Sequence, residues 1–412
     1  MTSEEATDDS RIVIYFCLLT ALVGLAAPSG LAGLPVAFFL KDHLKLDAER
    51  LALFGLVANI PLLVGFVFGF IRDRHLFGLQ DRGYLILGAL IAMLCYVWLF
   101  GASLTYMSLL IAILITNSAF QIVSTSVQAS MTIAGQRRLM TGTLSGLSYA
   151  ALVLPQVFTA VAGGWLAKRV SPRATFLIVA AVTAGIVYAA FQPTLEMAEG
   201  PPSSKPRFRD NLGAMRALLR HRSLRLVIAI LFLNLFSPGW FTPLLYHFTG
   251  QLKMTSEGYG TFIAVLFGAQ AMGAIFYARI CKRMTLEELL WLTTLFNIVV
   301  TPLPYWVHNF SQAMLVASMA GLVFGLANGA YFDLLMRSCP KDLEGTARMM
   351  GFSAFFIAQF GADLLGSVLY EHNGFGLCMA MSTAATGLIF PMLLLIPRGL
   401  IAAREGELFR AA

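Results

Sequence analysis

The chain has 412 residues, 58% of them hydrophobic and 12% charged, where a soluble domain carries roughly 25% charged residues. That is too little polar surface to cover a water-facing globule, so much of the surface must face lipid. The formal charge of +7 does not point to nucleic acid, because the basic residues sit in the gaps between apolar runs.

Runs of about 20 apolar residues, the length that crosses roughly 30 Å of hydrocarbon, recur along the whole chain. Each must be helical, since lipid offers no partner to an unpaired backbone amide. The predicted spans lie near residues 11–40, 51–71, 83–103, 106–134, 142–167 and 173–193, then near 223–248, 258–280, 287–307, 312–336, 346–370 and 377–397. The expected fold is an all-α membrane protein of twelve transmembrane helices. Its domains are a six-helix bundle over 1–193, a basic linker over 194–222 and a second six-helix bundle over 223–412.

The residues before the first span, through Ser10, hold four acids and no base. A cleaved signal peptide needs a basic start and a shorter apolar core, so the run from Ile12 to Leu40 is kept as a span. The second span ends Gly69-Phe70-Ile71-Arg72-Asp73-Arg74. The fourth carries Asn117, Gln121, Thr125 and Gln128, whose spacings of four, four and three keep them on one helical face. Amides turned to lipid are unfavourable, so this face is expected to point into the bundle. Two readings stay open for it, a solute-lining role or interhelical hydrogen bonds.

The only long polar segment runs from Thr194 to Arg222. It opens with Pro201-Pro202-Ser203-Ser204 and continues as a basic run. Asn211 to Arg222 reads either as a helix lying on the inner leaflet or as a solvated linker. In the seventh span, Ser237-Pro238-Gly239-Trp240 interrupts the helix; proline frees a carbonyl and glycine loosens the backbone, so a kink is expected. A kink there at Pro238 and Gly239 suits an outer gate. Asn234, one turn earlier, is a binding candidate. For Gln156, Gln270 and Asn297 the structural reading is preferred.

The tenth span holds Gly321, Gly325 and Gly329, a double GxxxG that signals close helix packing. Asn328 beside it is a cavity candidate. Asp333 precedes Arg337 by one turn, which suits either an i,i+4 ion pair or a gate. In the eleventh span Asp363 lies several residues from either end. Placing Asp at a helix centre costs roughly 2.5–3.5 kcal/mol on insertion scales, and such acids face a cavity or a partner and serve proton relays. Asp363 is therefore the proton-coupling candidate, with Gln359 one turn earlier on the same face; structural hydrogen bonding is the competing reading.

With the N-terminus placed in the cytoplasm and the spans alternating, 22 of the 29 lysines and arginines fall inside. The positive-inside rule predicts this excess; it supports an even number of spans with both termini cytoplasmic. An internal repeat supports two like-oriented halves. At a constant offset of 208 residues, Pro35 meets Pro243, Leu44-Lys45 meets Leu252-Lys253, Glu49 meets Glu257 and Gly65 meets Gly273. Parallel six-span repeats are known among secondary transporters.

The Gly69-to-Arg74 segment resembles the loop motif between spans two and three of the major facilitator superfamily, a glycine followed four residues on by Asp and a base. The tail departs, with Leu76 where the family has glycine. Pro155 and Gly163-Gly164 partly resemble the family's fifth-span antiporter pattern. Within the superfamily, Gly33 to Arg74 and Cys339 to Tyr370 resemble the folate–biopterin transporter group, some features being shared with muropeptide permeases and acetyl-CoA transporters. The fourth span lacks the aspartates usual in those groups, which weakens any inference to substrate. The resemblance implies a gating role for Asp73 and Arg74. Asp73 would cap the eleventh span near Gly345-Thr346, pair with a nearby arginine and stabilise an outward-open state, as an anion at a helix N-terminus does.

The expected function is secondary active transport of a small polar or amphipathic organic solute by alternating access, with protons as the candidate coupling ion. The alternative is a transporter-like scaffold or assembly factor. Neither HExxH nor GxSxG occurs, so no enzyme is expected. No cofactor or metal is implied, and the five cysteines show no CxxC and read as small hydrophobes. The expected partners are the bilayer and the solute, with the protein a monomer in a plasma membrane, a bacterial inner membrane being the first candidate.

Overall fold

The computed structural model describes residues 3–46, 48–74, 79–199, 213, 216, 218 and 220–408. The expected surface helix over 211–222, the Pro201–Ser204 stretch and the motif tail at Leu76 lie almost wholly outside the described residues. Among the described residues the regular structure is helical, with no strand. Among the described residues, nine helices are long and apolar enough to cross a membrane.

In chain order the first six spans comprise α1 (Ser3–Ala26), α2 (Gly33–Phe38), α3 (Ala48–Ala58), α4 (Ile60–Leu63), α5 (Gly65–Asp73), α6 (Asp81–Gly101), α7 (Tyr106–Arg137), α8 (Thr141–Arg169) and α9 (Pro172–Ala190). After a short α10 (Thr194–Glu199) come α11 (Arg222–Leu235), α12 (Thr242–Tyr246), α13 (Ser256–Ile280), α14 (Leu286–Val300), α15 (Phe310–Ser338), α16 (Glu344–Asn373), α17 (Phe375–Leu393) and α18 (Arg398–Ile401). Of the three predicted spans outside the nine, the second and seventh are helices in pieces, and the fifth is the 29-residue α8 with Pro155 inside it.

The first span is also interrupted, which its apolar run did not reveal. α1 stops at Ala26 and helix resumes only at Gly33, across Pro28 and Gly30. Proline lacks the amide that would continue the helix and clashes with the preceding turn, a cost of about 3 kcal/mol in a regular helix interior; a break relieves it. Tyr96 donates from its hydroxyl to the Ala26 carbonyl at 2.7 Å and so satisfies an acceptor that the break leaves over. The seventh span breaks between Leu235 and Thr242, at the Ser237-Pro238-Gly239-Trp240 interruption. The Gly239 amide donates to Ser382 Oγ at 2.9 Å and Trp240 Nε1 to the Thr301 carbonyl at 3.0 Å.

The internal repeat is present in the backbone. α2 runs straight into a π-helical turn at Phe39–His43, and α12 into another at His247–Gln251. Phe39 and His247 are 208 positions apart, the offset of the sequence repeat. Lys45 and Lys253, again 208 apart, both adopt the left-handed conformation at φ 51°. Such backbone is uncommon for a non-glycine residue, so its recurrence at one register marks one ancestral turn used twice.

The chain folds as two compact units. The first gathers Met1–Ala134, Leu154–Asn211 and Lys341–Met349; the second gathers Gly135–Val153, Leu212–Pro340 and Met350–Ala412. In the first unit α6 and α1 pack on α9. In the second, α13 and α15 pack along their lengths. Here the double GxxxG acts: a Cβ on Gly321 or Gly325 would collide with the carbonyl oxygens of Leu266 and Gln270, and one on Gly329 with the Tyr277 ring. Small residues let the two backbones approach, and dispersion contact replaces a hydrophobic drive that lipid does not provide.

Candidate functional site

In the first unit the end of α5 carries a buried ion cluster. Arg72, Asp73 and Asp81 are all under a tenth exposed. The Arg72 guanidinium grips both carboxylate oxygens of Asp81, through Nε and Nη2, and donates from Nη1 to Asp73 Oδ1 at 2.9 Å. Asp81 also accepts from Ser126 Oγ at 2.9 Å and Ser130 Oγ at 2.8 Å. Asp73 accepts from the Gly345 amide at 3.1 Å, the Thr346 amide at 2.6 Å and the Thr346 hydroxyl at 2.7 Å. One cation faces two carboxylates here, and the excess negative charge rests on the first turn of α16. A helix N-terminus carries about half a positive charge, which offsets part of that excess. The Arg74 guanidinium lies 5.9 Å from the Phe70 ring centroid, and among the described residues its buried Nε has no hydrogen-bond partner.

The four polar residues of the fourth span have different surroundings. Asn117 donates to the Ala58 carbonyl at 2.6 Å, where the second span is interrupted at Asn59. Gln121 is buried. Thr125 is fully buried and turns its hydroxyl back to the Gln121 carbonyl at 2.7 Å, the usual habit of threonine within a helix. Gln128 Oε1 accepts from Arg348 Nε at 3.1 Å.

In the second unit three asparagines form a chain. Asn297 Nδ2 donates to Asn234 Oδ1 at 2.9 Å, Asn234 Nδ2 to Asn328 Oδ1 at 3.0 Å, and Asn328 Nδ2 to the Phe324 carbonyl at 2.9 Å. Asn234 and Asn328, singled out separately in the sequence, are thus in direct contact, and Asn297 belongs with them. Gln270 donates to the Tyr149 hydroxyl at 2.8 Å. Asp363 is half-buried, and its Oδ1 accepts the Thr242 amide at 2.9 Å. That carboxylate therefore caps the helix which restarts after the seventh-span break. Gln359 lies one turn away, half-buried.

Asp333 and Arg337 are fully buried in the second unit. Their i,i+4 pair forms at 3.0 Å, and Tyr277 donates its hydroxyl to Asp333 Oδ2 at 2.8 Å. Arg337 Nη1 also reaches the carbonyls of Ala403 at 2.8 Å and Leu400 at 3.3 Å. This fixes the segment that follows the last span. Glu405 on that segment accepts from both the amide and the hydroxyl of Thr143 and from Cys281 Sγ at 3.2 Å. Burial pushes the Glu405 carboxyl up, more than its hydrogen bonds from Thr143 and Cys281 bring it down.

Sequence reasoning picked out Asp73, Asp333 and Arg337 but not Arg72, Asp81 or Glu405. A signal for Asp81 existed: Ser126 and Ser130 sit one turn apart on the fourth span and share its carboxylate. Glu405 left no local signal at all.

The model of the Major Facilitator Superfamily matches residues 137–366, more than half of the chain. A folate-biopterin transporter of Synechocystis sp. is 25% identical over 396 residues, covering 90% of this chain and 79% of the relative. A probable folate-biopterin transporter 7 of Arabidopsis thaliana is 25% identical over 368 residues, covering 84% and 83%. Among solved structures, the human organic anion transporter MFSD10 (TETRAN) superposes with a TM-score of 0.71 at 18% identity, covering 95% of this chain and all of that one. At that identity the likeness concerns the fold alone.

Proposed function

As the chain belongs to the Major Facilitator Superfamily and is a multi-pass membrane protein, we propose that it is a secondary active transporter of a small polar or amphipathic organic solute, working by alternating access. Folates and pterins are the first solutes to test, because both curated relatives bear that name. The observation that carries the reading is the Asp73 cluster. A buried ion set is a poor way to gain stability, since desolvation of each ion costs several kcal/mol. It suits a contact that must be held in one state and released in another.

Asp73 is the latch: in its closed form it holds the first turn of α16 and stabilises an outward-open state. Arg74, beside it, belongs to the same gate. The Asn234–Asn297–Asn328 chain and the face carrying Gln121 and Gln128 supply amides for the solute. Asp363 is the proton site. As a carboxylate it accepts the Thr242 amide at the seventh-span break; protonation removes charge from that acceptor and loosens the gate formed by Pro238 and Gly239. Asp333 and Arg337 form the i,i+4 ion pair that anchors the segment after the last span. Both termini lie in the cytoplasm, and the protein acts as a monomer in a plasma membrane, a bacterial inner membrane first of all.

Purified protein in liposomes, offered labelled folate and biopterin with and without a pH gradient, tests the proposal. The expected result is uptake that the gradient drives and that Asp363→Asn uncouples. Wild-type accumulation by Asp363→Asn sinks proton coupling at this residue. Absence of uptake for any organic solute tried would favour the scaffold alternative.

A further inference from the structure

The 208-residue repeat carries a mismatch. It places Asp73 of the first half on Cys281 of the second, so the second half lacks its carboxylate where the first has one. The receiving helix ends are nevertheless alike. α8 begins Thr141-Gly142-Thr143 and α16 begins Glu344-Gly345-Thr346. In the first unit, Asp73 accepts the amide and the hydroxyl of Thr346. In the second, Glu405 accepts the amide and the hydroxyl of Thr143. A Cβ on Gly345 would meet Asp73 Oδ1 at 2.6 Å, and one on Gly142 would meet Glu405 Oε2 at 2.6 Å and Cys281 Sγ at 2.8 Å. Each glycine therefore leaves room for a carboxylate over the helix end, and Cys281 touches the carboxylate that stands in for its own missing one.

We infer that Glu405 is the second half's counterpart of Asp73, a latch carboxylate delivered to the N-terminus of α8 by the segment after the last span instead of by a helix end like that of α5 in the first half. The inference rests on the alternating-access reading only for its role in transport; the contact itself is independent of that reading.

The way the segment is held fits the role. Arg337 fixes the Leu400 and Ala403 carbonyls, the Glu405 amide donates to the Cys281 carbonyl at 3.2 Å and the Gly406 amide to the Leu139 carbonyl at 2.9 Å. Gly406 takes φ 88°, a left-handed turn that a side chain would strain and that turns the chain away directly after Glu405. Glu405 is thus a positioning residue for the α8 end, and release of its carboxylate opens one latch without touching the other.

Hydrogen exchange of the full-length protein in nanodiscs, followed by mass spectrometry over the peptide containing residues 140–148, tests this without any solute. Glu405→Ala is expected to speed exchange at the start of α8 by roughly tenfold or more, the loss of a charge-assisted hydrogen bond, and to leave the start of α16 unchanged. Adding Cys281→Asp, which restores a carboxylate at the repeat position, is expected to bring the rate back to within about threefold of wild type. A merely structural contribution of Glu405 to the segment is not restored by that change. Should Glu405→Ala not survive purification, the near-isosteric Glu405→Gln carries the same comparison with and without Cys281→Asp. Unchanged exchange on loss of the carboxylate, or no recovery with Cys281→Asp, overturns the inference while leaving the transporter reading standing. Failed uptake with the expected exchange pattern does the reverse.

Discussion

Two buried aspartates, each beside an arginine, are held in opposite ways. Asp73 and Arg72 are neighbours in sequence, and it is the carboxylate that makes the remote contact, to the amides of Gly345 and Thr346. Asp333 and Arg337 are one turn apart on α15, and there the guanidinium makes the remote contact, to the carbonyls of Leu400 and Ala403. A carboxylate on a helix N-terminus is replaceable by water once the end is exposed. A guanidinium that holds a carboxylate and two carbonyls together leaves several buried groups unsatisfied if it goes. On the latch reading proposed for Asp73, the first arrangement opens and the second persists.

The largest test of that contrast is Arg337→Ala. It strands Asp333 as an uncompensated buried charge and frees two carbonyls, so about 3–5 kcal/mol of stability should be lost, read as a fall in the thermal midpoint of the purified protein. Asp73→Ala should cost less, about 1–2 kcal/mol, the worth of a partly buried anion at a helix N-terminus. Its main effect is expected on conformation, a shift toward inward-open read by cysteine labelling from each side; unchanged labelling on both sides refutes the latch. If the two substitutions cost the same, the contrast between an opening and a persisting cluster is lost.

The smallest effect concerns pH. The folded Glu405 carboxyl holds its proton more tightly than the ordinary value of 4.5. The native state then binds more protons than the unfolded one, and stability must fall as pH rises. The fall begins near the ordinary carboxylate value and levels off above the raised one. Asp333 adds to the shift, and the hydrogen bonds from Cys281 and Thr143 oppose it. Glu405→Gln should flatten that portion of the stability curve by a measurable fraction of the thermal midpoint shift, while Asp73→Asn should leave it in place.

Much of the fold was legible because lipid imposes a simple rule: apolar length means helix. The repeat was legible for a related reason. Turns such as the one at Lys45 and Lys253 need particular backbone conformations, and their sequence is held at a constant spacing. The Asp73 cap could be read because the motif and helix-end physics point the same way. The first-span break was hidden, since Pro28 and Gly30 sit in a run that stays apolar on both sides. Asp81 and Glu405 were harder still. Each acts on a helix that is close only after folding, Asp81 across 45 residues to Ser126 and Glu405 across 262 to Thr143. The fourth-span face was visible as a pattern, but pattern alone did not separate Thr125, which bonds its own helix, from Asn117, which mends a break in another.

The asparagine chain has a direction. From Asn297 through Asn234 and Asn328 to the Phe324 carbonyl, every link donates the same way, so reversing one amide puts two like poles face to face with its neighbours. A guest molecule that slips between two of these side chains must present a donor edge to one and an acceptor edge to the other, side by side on the same rim. Simple carboxylates and quaternary amines have no such rim, whereas cyclic amides and fused amino-oxo heterocycles do, so the binding role proposed for the chain implies a preference for the second group.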